Sequence, residues 1–205
     1  MAQRSLRDAL LNAAAAEFHE KGFSATGVAG IAARAGAPKG SFYNHFPSKD
    51  DLGVVVVEAY ADSRRTDILL DSEADPIDAI RRHFAWLRDD LSSDHYANGC
   101  LLGNFGAEVG RSGTKVGEAV RESFGLWLDG ITYAVRRAAE RDLLPEGTDP
   151  DATARFLGSA WEGAALLAKA TGSPAPVADF FAIAFPRILG HPFTETADHS
   201  GYADI

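Results

Sequence analysis

The sequence predicts an all-α chain of about nine helices, with a three-helix unit over residues 1–52 and a larger helical body over 53–205. Two observations predict this. Apolar residues recur at i, i+3 and i+4, while alternating apolar and polar runs are scarce. The 205 residues are also 46% hydrophobic, ample for a core. The 20 glycines and 9 prolines are too few for a fibrous or disordered chain.

The helices are justified in order. Leu6, Leu10, Ala14 and Phe18 share one face of the first, which Ser5 can cap and Gly22 can end. The second follows Thr26, a hydroxyl residue suited to the N-cap, and turns Val28, Ile31, Ala32 and Ala35 inward before Gly36. Pro38 suits the first turn of the third, which reaches about Asn44 or His45 with Phe42 and Phe46 on its inner face. Ser48 with Asp51 opens the fourth, expected to run to about Leu70. Asp75-Pro76 opens the fifth, to about Ser92, and the sixth covers Asn98 to Val109. Gly113 precedes a long seventh, to about Leu143, and a Pro/Gly-rich loop separates it from the eighth, about 150–170. The ninth is expected over about 176–189, and a polar tail follows His191.

Charge is unevenly distributed. The first fifty residues carry six basic and four acidic side chains, so the remainder holds −11 of the whole-chain −9. An acidic body is repelled by phosphate, so any nucleic-acid contact is confined to the N-terminal end. The single cysteine, Cys100, excludes an internal disulfide framework and fits a reducing, cytoplasmic compartment. The apolar runs are too short to span a bilayer, and the alanine-rich start, interrupted by Asn12 and closed by Glu17, reads as a helix face rather than a signal peptide.

The stretch Thr26 to Lys49 is two short helices joined by Ala35-Gly36-Ala37-Pro38. That is the helix-turn-helix plan, in which the second helix enters the major groove and the first braces it. Lys39 and Lys49 bring charge for phosphates, and Ser41, Tyr43, Asn44 and His45 bring donors and acceptors. Gly40 lets backbone approach closely.

Gly22-Phe23, Thr26, Ile31-Ala32, Ala35-Gly36, Lys39-Gly40, Phe42-Tyr43, His45-Phe46, Lys49 and Leu52 together resemble the signature of the TetR family of transcriptional regulators. The resemblance implies an N-terminal helix-turn-helix DNA-binding domain and a C-terminal helical domain for ligand binding and dimerisation. It implies a repressor that binds palindromic double-stranded operator DNA as a homodimer and is released by a small-molecule effector. Thr26, Lys39, Gly40, Ser41, Tyr43, Asn44, His45 and Lys49 would then face DNA, with Asn44 reading a base through its amide. One departure is Gly30, where the family more often has a polar or acidic residue; it softens the supporting helix by roughly 1 kcal/mol relative to Ala.

In the body, Trp127 and Trp161 lie near glycines and suit a pocket wall, with Phe105 beside them in the expected effector set. Tyr96 to Glu108 and Trp161 to Ala170 are similar to the branch of that family containing N-ethylmaleimide- and acrylate-responsive repressors. That similarity singles out Cys100 and Lys169. A helix start or a nearby ammonium would activate the thiol for covalent sensing; noncovalent ligand binding beside Cys100 and a packing role as a small buried hydrophobe are the other two readings. Glu108 and Glu162 stand among apolar neighbours and are open to pairing with Lys169, a ligand or a partner chain. For the dimer contact, the eighth and ninth helices offer Phe156, Leu157, Ala160, Ala164, Phe180, Phe181, Ile183, Ala184, Phe185 and Ile188.

Phosphate-loop, nucleophile-elbow and zinc-protease motifs are missing, and the six histidines show no metal-ligand spacing, so neither an enzyme nor a cofactor is expected.

Overall fold

The computed structural model describes residues 5–193. The polar tail expected after His191 falls largely outside them, as does Arg4 of the basic N-terminal set. Among the described residues ten α-helices are present: α1 Leu6–Lys21, α2 Val28–Arg34, α3 Lys39–Phe42, α4 Lys49–Asp62, α5 Asp67–Leu70, α6 Pro76–Ser92, α7 Leu101–Val109, α8 Lys115–Glu140, α9 Pro150–Thr171 and α10 Ala175–Ile183. A π-helical turn, Ala184–Ile188, follows the last. Among the described residues no helix is long and apolar enough to cross a membrane.

Half of the helix starts follow local capping chemistry by side-chain oxygens. The hydroxyls of Ser5, Ser48 and Thr114 and the carboxylates of Asp75 and Asp149 each accept a backbone N–H of the first turn, satisfying donors that would otherwise be orphaned. The N-cap expected at Thr26 is instead Gly27. Thr26 is buried, and its hydroxyl donates to the carbonyls of Gly22 (2.7 Å) and Glu17 (3.2 Å), so it ties the start of the second helix to the end of the first.

The expected fourth helix is two. The chain breaks after Asp62 because Arg65 takes a left-handed backbone (φ 55°), held by a two-pronged pair with Asp67 at 2.9 and 3.0 Å. The expected sixth helix starts three residues late, because Gly99 is left-handed (φ 63°) and Cys100 becomes the N-cap. The last helix converts to a π-turn because Pro186 has no N–H to continue the α ladder.

Two cores form. The upper one gathers Phe84, Trp127, Trp161, Phe180 and Phe185 between α6, α8, α9 and α10. The lower one packs Phe18, Ile31, Phe42, Phe46 and Leu52 of the N-terminal helices, and it does not close at residue 52: Leu101, Phe105 and Val109 of α7 and Val116 and Val120 of α8 belong to it. α8 therefore passes from one core to the other, and Cys100, just before α7, touches both.

Candidate functional site

The α2–α3 corner is built by the turn between them. Gly36 is left-handed (φ 68°); its N–H bonds to Ala33 O, and the Ala37 N–H reaches Ala32 O. This pair of bonds closes α2 as a Schellman motif, and Pro38 launches α3. Phe42 and Phe46 are buried beneath α3, their rings 5.8 Å apart. The opposite edge is open: Lys39, Gly40, Asn44 and His45 are exposed, Tyr43 is 55% exposed, and Ser41 is half-buried. A Cβ on Gly40 would meet nothing within 4 Å. α3 is four residues long and continues as turns to Phe46, shorter than expected, but the exposed polar edge survives.

Two of the expected DNA contacts face elsewhere. Thr26 points inward, as described. Lys49 donates to the carbonyls of Phe23 (2.8 Å) and Thr26 (2.9 Å) and lies over the Phe23 ring, so it braces the α1–α2 loop from below. Arg34 is held in a two-pronged pair with Glu20, both contacts 2.7 Å.

That loop is also gripped from the body. Glu108, near the end of α7, accepts from the backbone N–H of Phe23 (3.0 Å) and Ser24 (2.7 Å). Gly22 makes the approach possible, since a Cβ there would stand 2.4 Å from the Glu108 carboxylate. Glu108→Ala is expected to weaken operator binding several-fold while leaving the upper core intact, checked by duplex titration beside near-ultraviolet circular dichroism.

At its other end α7 meets a cavity of about 380 Å³ bounded by α4–α9, with Tyr60, Leu87, Cys100, Trp127, Trp161 and Glu162 among its lining. Cys100, Trp127 and Trp161 share its lining. Phe105 is not with them: it is fully buried in the lower core against Phe18 and Phe23. Lys169 is not in the lining either. Its stem lies against Gly99, and its ammonium donates to Asn104 Oδ1 at 3.3 Å.

The cavity chemistry departs from the activated thiol envisaged above. Burial, then the nearby Glu162 carboxylate, pushes the Cys100 thiol up to about 12. Burial also raises Glu162 to about 7, its partner being the Cys100 thiol. Desolvation holds Tyr60 well above the ordinary phenol range. Arg64 at the rim is paired with Asp90 at 2.5 Å and stacked on the Tyr60 and Trp86 rings.

Behind the wall, Trp127 Nε1 donates to His83 Nε2 at 2.8 Å. The other His83 nitrogen therefore carries the proton and donates to the Arg65 carbonyl at 3.3 Å. Sequence reasoning missed His83, Tyr60 and Arg64. His83 had a legible signal, a polar residue between Ile80 and Phe84 on the apolar face of its helix.

An exposed reading edge on a helix-turn-helix, joined by continuous helices to an internal cavity, defines a ligand-responsive transcriptional regulator. The chain belongs to the TetR family. The model for bacterial regulatory proteins of the tetR family matches residues 10–54, and that for the tetracyclin repressor-like C-terminal domain matches residues 76–184. The chain is 32% identical to the HTH-type transcriptional repressor DhaR of Mycobacterium sp. (strain GP1) over 198 residues, covering 95% of this chain and 97% of that one. It is 28% identical to the repressor NemR of Escherichia coli over 77% of this chain and 81% of that one. The crystal structure of reduced NemR superposes with a TM-score of 0.77 at 26% identity, covering 93% of this chain and all of that one. A regulatory protein TetR from Rhodobacter sphaeroides also superposes at 0.77, with 31% identity over 86% of this chain and 95% of that one.

Proposed function

We propose that the chain is a repressor that binds palindromic operator DNA as a homodimer through the α3 edge, and that an effector in the Cys100 cavity releases it. The observation that carries this reading is continuity. α4 begins under the reading head at Lys49 and lays its last turn, Tyr60 to Asp62, on the cavity wall, and α7, capped by Cys100, carries the Glu108 grip near its far end. An occupant that favours one placement of α4 over another changes the separation of two paired heads, and the difference in its affinity for the two placements is the coupling free energy.

The dimer face proposed is the outer side of α9 and α10. Leu157, Ala164, Phe180, Phe181, Ala184 and Phe185, assigned to that contact from sequence, are buried in the chain's own core. Phe156, Leu166, Leu167 and Ile183 remain outside, each about half exposed or more, and Gly163 has open space around it. The cytoplasm is the compartment this reading requires.

The effector proposed is a compact, mostly apolar molecule, and Cys100 is the wall position at which an electrophilic one would bond. The test is titration of a duplex from the gene's own upstream region, with and without N-ethylmaleimide. Binding that resists the reagent despite alkylation of Cys100 sinks the effector assignment, and failure to bind at low salt sinks the repressor. In the same assay, Asn44→Ala is expected to cost about 1–3 kcal/mol at one base-pair position. Lys39→Ala is expected to weaken all sequences alike and lower the salt slope by about 1.

A further inference from the structure

The cavity holds a thiol that burial keeps protonated, with no ammonium on its wall. A nucleophile in that state needs a proton acceptor, and the structure supplies a carboxylate. We propose that Cys100 and Glu162 act as a dyad that captures uncharged α,β-unsaturated carbonyl compounds, with Glu162 taking the thiol proton as sulfur attacks. This rests on the reading of the cavity as the effector site.

The geometry is specific. Cys100 caps α7, and the Gly103 N–H points at its sulfur at 3.5 Å. Glu162, one helix away on α9, reaches over Gly103: a Cβ on that glycine would stand 2.4 Å from Glu162 Oε2 and 3.6 Å from Cys100 Cβ. The bare face of Gly103 is the space through which the carboxylate approaches the thiol. Trp127, Trp161 and Leu87 supply apolar walls for a small organic molecule. The guanidinium on the lining, Arg64, is committed to Asp90, so an anionic ligand would meet Asp62, Asp67 and Glu162 without a cation to hold it.

The step balances without an oxidant or a leaving group. Sulfur bonds to the β-carbon, the C=C π pair moves onto the α-carbon as an enolate, and the S–H proton passes to the Glu162 carboxylate. Glu162 then returns a proton to the α-carbon, leaving a thioether and the original carboxylate. A positioned base typically contributes 10²–10⁴-fold to such a transfer, and one poised near neutrality is well matched to it.

The experiment follows alkylation of Cys100 by N-ethylmaleimide, using intact-protein mass spectrometry from pH 5.5 to 9 on the full chain. Cys100→Ser is the site control, since this is the only cysteine. Glu162→Gln is expected to react about 100-fold more slowly than wild type. Gly103→Ala, which keeps both groups but pushes the carboxylate aside, is expected to show a comparable loss. The wild-type rate is expected to level off above about pH 7, where Glu162 is ionised. The ionisable groups facing the cavity with Glu162 from other elements are Cys100, Tyr60, Asp62, Arg64 and Asp67, and of these only Cys100 contributes to its shift. Acrylamide is expected to outpace acrylate at Cys100 by more than it does at free cysteine.

Equal rates in wild type and either variant would overturn the dyad. So would a rate that climbs tenfold per pH unit through pH 9, or no alkylation at all. Alkylated wild type that still binds operator leaves the dyad standing and removes its role as effector site.

Discussion

Glu162→Gln is expected to stabilise the folded chain at pH 8 and to leave its stability at pH 4 unchanged. The folded carboxyl is raised to about 7 from an ordinary 4.5 by burial. A group raised in the folded state contributes its full share of stability below the unfolded value, and that share is lost as pH rises through the folded one. At pH 8 the wild type therefore keeps a poorly solvated carboxylate on an apolar wall, at a cost of roughly 1–3 kcal/mol. Glutamine has the same shape and stays neutral throughout. For a chain of this length that converts to a rise in Tm of roughly 3–10 °C. Melts at the two pH values decide it: an equal Tm difference at both, or a loss at pH 8, would mean that Glu162 is solvated or ion-paired. A carboxylate kept at such a cost, when glutamine would serve packing equally well, points to function.

The reading head was legible because its signals are local. Gly36, Pro38, Ser48 and the Phe42/Phe46 pair act on neighbours within four residues, and sequence spacing reports such neighbours directly. The caps at Ser5, Ser48 and Asp75 were legible for the same reason; that at Thr26 was not, because hydroxyls serve both caps and interior carbonyls and only the tertiary fold decides. The cavity was half legible. Trp127 and Trp161 stood out as large side chains beside glycines, and Cys100 as the lone thiol, but which wall each faced depended on contacts far apart in sequence. Phe105 was assigned to the cavity and lies in the lower core because all the buried residues of α7 pack there, a placement its own periodicity does not encode. Lys169 drew attention as an ammonium among apolar residues, whereas the group that reaches the thiol is Glu162, seven residues earlier on the same helix. Lys49 resembled a phosphate anchor, yet its ammonium lies over the Phe23 ring and satisfies two loop carbonyls.

On the opposite wall, His83→Phe is expected to destabilise the chain by about 2 kcal/mol at pH 7.5, because a buried indole N–H loses its acceptor, and to remove most of the acid sensitivity below pH 6. The wild-type imidazole is fully buried, and burial lowers it to about 4 from an ordinary 6.5. A histidine depressed in the folded state contributes its full share of stability above the unfolded value, and loses it as pH falls through the folded one. The loss from pH 6.5 to 4 amounts to roughly 3 kcal/mol. Protonation would place a charge in the upper core and abolish the lone pair that accepts from Trp127. Phenylalanine fills nearly the same volume and does not titrate, so the two stability curves are expected to converge near pH 5 and to cross below it. Urea denaturation at pH 7.5, 5.5 and 4.5 measures this, and parallel curves at all three would sink it. Between pH 4.5 and 6.5 the wild-type slopes from His83 and Glu162 oppose one another, so each is resolved only in its own variant. The Trp127–His83–Arg65 chain also joins the cavity wall to the residue whose left-handed backbone ends α4. His83→Phe should therefore loosen the end of α4 from the wall it senses and blunt the response of operator binding to the effector beyond what its stability loss accounts for.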